Sequence, residues 1–72
     1  MKGETKEQRF KRIAERRVQR VLDALRGLSH LSNRRMYQWN DAQLEKIWQA
    51  VDKELKACRE SFEHSEPDEF RL

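Results

Sequence analysis

Apolar residues recur at intervals of three and four in two stretches of this 72-residue chain, separated by a polar and aromatic insert. That spacing is the signature of an amphipathic helix, because residues three and four apart share one helical face. In the first stretch the apolar positions are Phe10, Ile13, Ala14, Val18, Val21, Leu22, Ala24, Leu25 and Leu28. The pattern predicts a helix over about residues 5–28 with an apolar face wide enough to touch more than one neighbour. Thr5 and Gln8 stand in capping-box positions at its start. Gly27 and the polar run after it mark its expected end.

The second stretch is more regular. Leu44, Trp48, Val51, Leu55, Cys58 and Phe62 follow at spacings of four, three, four, three and four, with Ile47 widening the row. This is an uninterrupted heptad seam. Asn40 is a good N-cap, Asp41 sits in the first turn and Gln43 is the third helical residue. Trp39 before the cap and Leu44 at the fourth helical position match a hydrophobic staple. The predicted helix runs over about residues 40–64, and Pro67 lies beyond a polar stretch. The tail, residues 65–72, is expected to fray.

Residues 29–39 form a connector longer than the roughly 2–8 residues usual between packed helices. It is not a flexible linker by composition, since it holds Leu31, Met36, Tyr37 and Trp39. These four are expected to fold back and cap the open end of a hairpin, with a short helical turn around residues 32–36. The expected architecture is all-α: an antiparallel two-helix hairpin with an ordered, partly helical connector, forming one domain over residues 1–72.

Size sharpens this picture. A domain so short is marginal unless a disulfide, a metal or oligomerisation supports it. Cys58 is the single cysteine, which excludes an internal disulfide. No paired Cys/His spacing suits a structural zinc. Oligomerisation remains, and a homodimer, as a helical bundle, is expected because one hairpin leaves much of the first helix's wide face uncovered.

Charge changes the picture again. Residues 1–28 carry nine Lys/Arg against four Asp/Glu, residues 29–39 add Arg34 and Arg35, and residues 40–72 carry five Lys/Arg against nine Asp/Glu. A basic half beside an acidic half permits mutual attraction or two different partners. Lys6, Arg9, Arg12, Arg16 and Arg20 repeat at spacings of three and four and form a basic stripe away from the apolar face. Such a stripe can follow a phosphate backbone or an acidic protein surface. The plainer reading is a solvated face with pairs such as Glu7–Lys11. Arg34, Arg35, Tyr37 and Trp39 bring basic and aromatic groups together, which exposed could stack on bases and grip phosphates. Trp39 belongs to the staple by the argument above, and Tyr37 stays open.

Arg17 falls among Phe10, Ala14, Val21 and Leu28 on the apolar face. A buried charge there needs a partner. In an antiparallel hairpin its level on the second helix is near residues 52–55, and Glu54 on the flank of the seam is the expected partner. A snorkelling arginine or an interface anchor are the alternatives.

Candidate chemistry is sparse. His30, His64 and Cys58 are the metal-binding or nucleophilic candidates, and antiparallel packing puts the two histidines at opposite ends. Cys58 is expected on the buried seam, as free cysteines often are. There is no nucleophilic triad pattern or glycine-rich phosphate loop, and a two-helix hairpin offers little concavity for a substrate. The expectation is a protein that is not an enzyme, with no cofactor and no metal. The charged N-terminal stretch does not read as a signal peptide, so a cytoplasmic protein is expected. The apolar face of the first helix is expected to be occupied by the second helix and not by a membrane.

The segments Arg9-Phe10-Lys11-Arg12-Ile13-Ala14-Glu15-Arg16-Arg17, Leu31-Ser32-Asn33-Arg34, Tyr37-Gln38-Trp39 and Glu45-Lys46-Ile47-Trp48 resemble motifs of a family of small uncharacterised bacterial proteins that often accompany phage, plasmid or other mobile-element genes. The likeness covers about residues 9–62. It implies an accessory protein of mobile DNA and carries over no site residues. The functional expectation is a small non-catalytic interaction module that docks on a larger protein or complex. The alternative is a nucleic-acid binder, of RNA or of DNA without sequence preference, using the stripe and the connector arginines.

Overall fold

The computed structural model describes residues 3–65. The predicted fraying of the tail falls on positions that, from residue 66 onward, lie outside the described residues. Helix α1 spans Lys6–Ser29, a 3-10 turn follows at His30–Ser32, and helix α2 spans Asp41–Glu63. No strand occurs among the described residues, so the chain is all-α with two long helices.

Both helices start where local chemistry says they should. The first backbone N–H groups of a helix lack intrahelical acceptors and need side-chain partners. Thr5 Oγ1 accepts from the Gln8 N–H at 3.0 Å, and Gln8 Oε1 accepts from the Thr5 N–H at 2.9 Å. Asn40 Oδ1 accepts from the Gln43 N–H at 2.8 Å, and Gln43 Oε1 accepts from the Asn40 N–H at 2.9 Å. Each is a complete capping box, and Glu7 and Asp41 add an acidic residue to each first turn.

The end of α1 differs from the expected one. The helix runs through Gly27 to Ser29. A glycine ends a helix efficiently when it takes the left-handed conformation, and here no glycine has a positive φ among the described residues. Closure comes instead from serine hydroxyls and the 3-10 turn. Ser29 Oγ donates to the Leu25 carbonyl at 3.2 Å, and Ser32 Oγ donates to the Ser29 carbonyl at 2.7 Å. The His30 N–H donates back to the carbonyls of Arg26 and Leu28.

The connector is ordered by a second device. Asn33 leaves the helical region at φ −78° and ψ 103°. Its side-chain oxygen accepts from the Arg35 N–H at 3.0 Å. Its carbonyl accepts from the N–H groups of Met36 at 3.1 Å and Tyr37 at 3.0 Å. Asparagine suits this place because its side chain can bond the backbone two residues on. The single helical turn anticipated around residues 32–36 is therefore two separate turns, one before Asn33 and one after it.

The chain divides into two compact units, the first ending at Gln38 and the second beginning at Trp39. The first holds α1 and both connector turns. The second holds Trp39, Asn40 and α2. In the first unit Ile13, Ala14 and Leu28 are half-buried, and in the second Trp39, Leu44, Ile47 and Val51 are half-buried. Trp39 and Leu44, the two staple positions, are thus each shielded in part. None of the described residues is fully buried. Leu31, Met36 and Tyr37 are exposed, Met36 at 72%, so they form no buried cap. Cys58, expected on a buried seam, is also exposed. The physical reason is that a single helix shields an apolar row only through its own neighbours three and four residues away.

Candidate basic interaction surface

The stripe is built by the periodicity of α1. With 3.6 residues per turn, Lys6, Arg9, Arg12, Arg16 and Arg20 occupy a band of roughly 120° around the helix and about 21 Å along it. All five residues are exposed. Val18, Val21, Leu22 and Leu25 lie on the opposite side and are exposed as well. One helix thus presents a cationic face and an apolar face to different directions.

The stripe is not uniform. Arg12 donates to Glu4 through both Nε, 2.8 Å from Oε2, and Nη2, 3.0 Å from Oε1. Arg9 approaches the same carboxylate, with Nε 3.7 Å from Oε1. The clamp forms because helical side chains lean toward the N-terminus of the helix. The two arginines reach back along α1, and the extended backbone of Thr5, at φ −73° and ψ 164°, leads to Glu4 just outside the cap. The hydrogen bonds from Arg12, with a smaller contribution from Arg9, hold the Glu4 carboxyl below the ordinary glutamate range. The same pairing raises the already high pKa of Arg12.

Among the described residues no hydrogen bond or ion pair engages the head groups of Lys6, Arg16 and Arg20. Nor does an ion pair join Glu7 to Lys11 there; Glu4 supplies the acidic partner near the start of α1. The sequence reading missed Glu4 because it lies eight residues from Arg12, outside the three- and four-residue intervals that mark helical neighbours. The usable signal was an acidic residue immediately before an N-cap, facing arginines that lean toward it. Toward the other end of α1, Asp23 accepts from Arg26 at 3.3 Å and from Gln19 at 2.9 Å.

The connector arginines belong to the same unit as α1. Arg34, Arg35 and Tyr37 are exposed, and the turn closed on Asn33 sets the backbone of Arg35 and Tyr37. Arg17 is exposed on α1, and Glu54 is exposed on α2. His30 caps the end of α1 and His64 caps the end of α2. No group of three or more His, Cys, Asp or Glu among the described residues is placed to share a metal ion. No helix among them is long and apolar enough to cross a membrane.

Comparison of the chain with protein-family models, with curated proteins and with solved structures finds no match. Fold and surface define an all-α protein of two long amphipathic helices, one of which also carries a cationic face.

Proposed function

We propose that this protein is a non-catalytic helical interaction module that acts by covering its apolar helix faces, first against each other and then against a partner. The observation that carries this reading is the exposure of large apolar side chains in helical register on both helices. Phe10, Val18, Val21, Leu22 and Leu25 are exposed on α1, and Trp48, Leu55 and Phe62 on α2. Leaving such rows in water forgoes roughly 1.5–3 kcal/mol for each large side chain that could be buried. Surface rows of this kind mark interaction sites.

In the proposed arrangement the helices close as an antiparallel hairpin. Matching the two rows outward from the connector sets Leu25 level with Leu44, Val21 with Trp48, Val18 with Val51, and Ala14 with Leu55. Arg17 then falls beside Glu54, and that pair would fix the register. The opposite charges of the two halves favour the same pairing. A second copy of the chain is the proposed occupant of what remains of the wide α1 face, including Phe10 and Leu22. Docking on a larger protein or complex, as an accessory protein of a mobile element, is the wider role of the module.

Sedimentation equilibrium of the full chain tests this directly. A dimer at tens of micromolar, converted to monomer by Leu22→Asp, is the expected result. A monomer mass at that concentration overturns the self-association.

A further inference from the structure

The apolar faces leave the opposite side of α1 unused. Lys6, Arg16 and Arg20 stand exposed on it, with no hydrogen bond or ion pair at their head groups among the described residues. Arg9 and Arg12 complete the row, and their guanidinium groups already hold an oxyanion, the Glu4 carboxylate. We infer that this face is a binding surface for the phosphodiester backbone of nucleic acid, and that Glu4 masks its first two arginines by occupying the place of a phosphate.

Three observations support the inference. The first is spacing: consecutive members of the row rise about 4.5–6 Å along the helix axis. A duplex presents one negative charge per ~1.7 Å of axis, so every cation in the row can find a phosphate. The second is geometry. The Arg12 fork binds both oxygens of Glu4, at 2.8 and 3.0 Å, and the same planar fork accepts two phosphate oxygens. The third is a second exposed group of suitable chemistry. Arg35 and Tyr37 are exposed in the same compact unit, where a tyrosine ring can stack on an unpaired base.

Glu4 makes the surface graded. With the clamp closed, the free cations of the row are Lys6, Arg16 and Arg20, about three phosphate contacts per protomer. Removing the Glu4 charge releases Arg9 and Arg12 and raises the number to about five. Because affinity falls with salt in proportion to the phosphates neutralised, three contacts correspond to a slope of about −2.7 in log affinity against log salt, and five to about −4.5. This inference does not rest on the pairing of the apolar faces, since the apolar face of α1 lies on the other side of that helix.

The test is fluorescence anisotropy of the full chain with a labelled 20-base-pair DNA duplex and with a 20-nucleotide single-stranded RNA, titrated between 50 and 200 mM salt. Poly-glutamate serves as a competing acidic polypeptide, and circular dichroism checks that each variant keeps its helicity. Wild-type protein is expected to lose about 40-fold in affinity for the duplex over that range, and about 20-fold for the single strand. Arg16→Gln with Arg20→Gln should weaken binding at 50 mM salt by more than 10-fold. Glu4→Gln should bind more tightly at 50 mM and lose about a further 10-fold across the same salt range. Absence of binding to both probes at 50 mM salt overturns the inference. So does displacement of the probes by equimolar poly-glutamate, which would mark an acidic protein as the partner. A salt slope unchanged by Glu4→Gln overturns the masking.

Discussion

Helices α1 and α2 have nearly the same length, 24 and 23 residues, and begin with the same device. Each opens on a capping box in which a side-chain oxygen and a glutamine three residues on satisfy each other's backbone N–H groups. They differ in everything that faces outward. α2 carries a narrow heptad row in an acidic half, whereas α1 carries a broad apolar face with a cationic stripe behind it. The comparison teaches that the start of a helix is a local matter of three or four residues. What a helix is for depends on the residues repeated along its whole length. α2 has one distinctive face, while α1 has two.

The largest expected effect comes from breaking the proposed neighbour of α2. If Trp48 and Leu55 are covered in solution, Leu55→Ala should cost about 2–5 kcal/mol in chemical denaturation, the range for a buried leucine. A surface leucine would cost within about 0.5 kcal/mol. A cost in that lower range would show that the α2 row stays in water.

The next effect concerns Arg17 and Glu54, the charges proposed to fix the register of the two apolar rows. A double-mutant cycle on Arg17→Met and Glu54→Leu should reveal a coupling of about 0.5–3 kcal/mol, with the double variant more stable than either single one. Additive single effects would remove the proposed register.

Cap substitutions separate the shared start from the differing faces. Thr5→Ala and Asn40→Ala should each destabilise by about 1 kcal/mol, since both remove one partner of a complete box. Helicity measured by amide exchange should fall first in the helix whose cap is lost. Loss spread equally over both helices would mean that the two melt as one unit.

The smallest stability effect should be a gain. Gly27 sits inside α1, and a Cβ added there meets nothing within 4 Å. Gly27→Ala should therefore stabilise α1 by roughly 0.5–1 kcal/mol through helix propensity. No gain in thermal midpoint would argue that the end of α1 is frayed in solution.

The Glu4 clamp adds a pH dependence confined to α1. Its carboxyl titrates below the ordinary value of 4.5, so its contribution is present above that value and is lost as the pH falls through the lowered one. Carbon chemical shifts of the Glu4 carboxyl should report a midpoint below the ordinary value of 4.5. A midpoint at the ordinary value would mean that the clamp is open.

Much of this was legible in the residues alone. Thr5 with Gln8 and Asn40 with Gln43 announced both helix starts, because capping involves side chains within three positions of one another. Spacings of three and four announced the faces, because the helical period is an intrinsic property of the backbone. The stripe was legible for the same reason. Less legible was the last turn of α1, since the serine hydroxyls and the 3-10 turn compete there with the usual glycine stop. The ordering of the connector by Asn33 was also hidden among several polar residues able to do the same work.

The residues by themselves therefore determined two capped amphipathic helices of opposite charge and the composition of each face. Only the folded chain decided that α1 passes through Gly27, because that glycine keeps a negative φ. It also decided that Glu4 closes on Arg12 and Arg9, because that contact depends on where an extended residue outside the helix directs its carboxylate relative to side chains two turns away. A pattern repeated along the chain can be counted in the sequence. A contact between an irregular segment and a regular one has no period, so it becomes visible only in three dimensions.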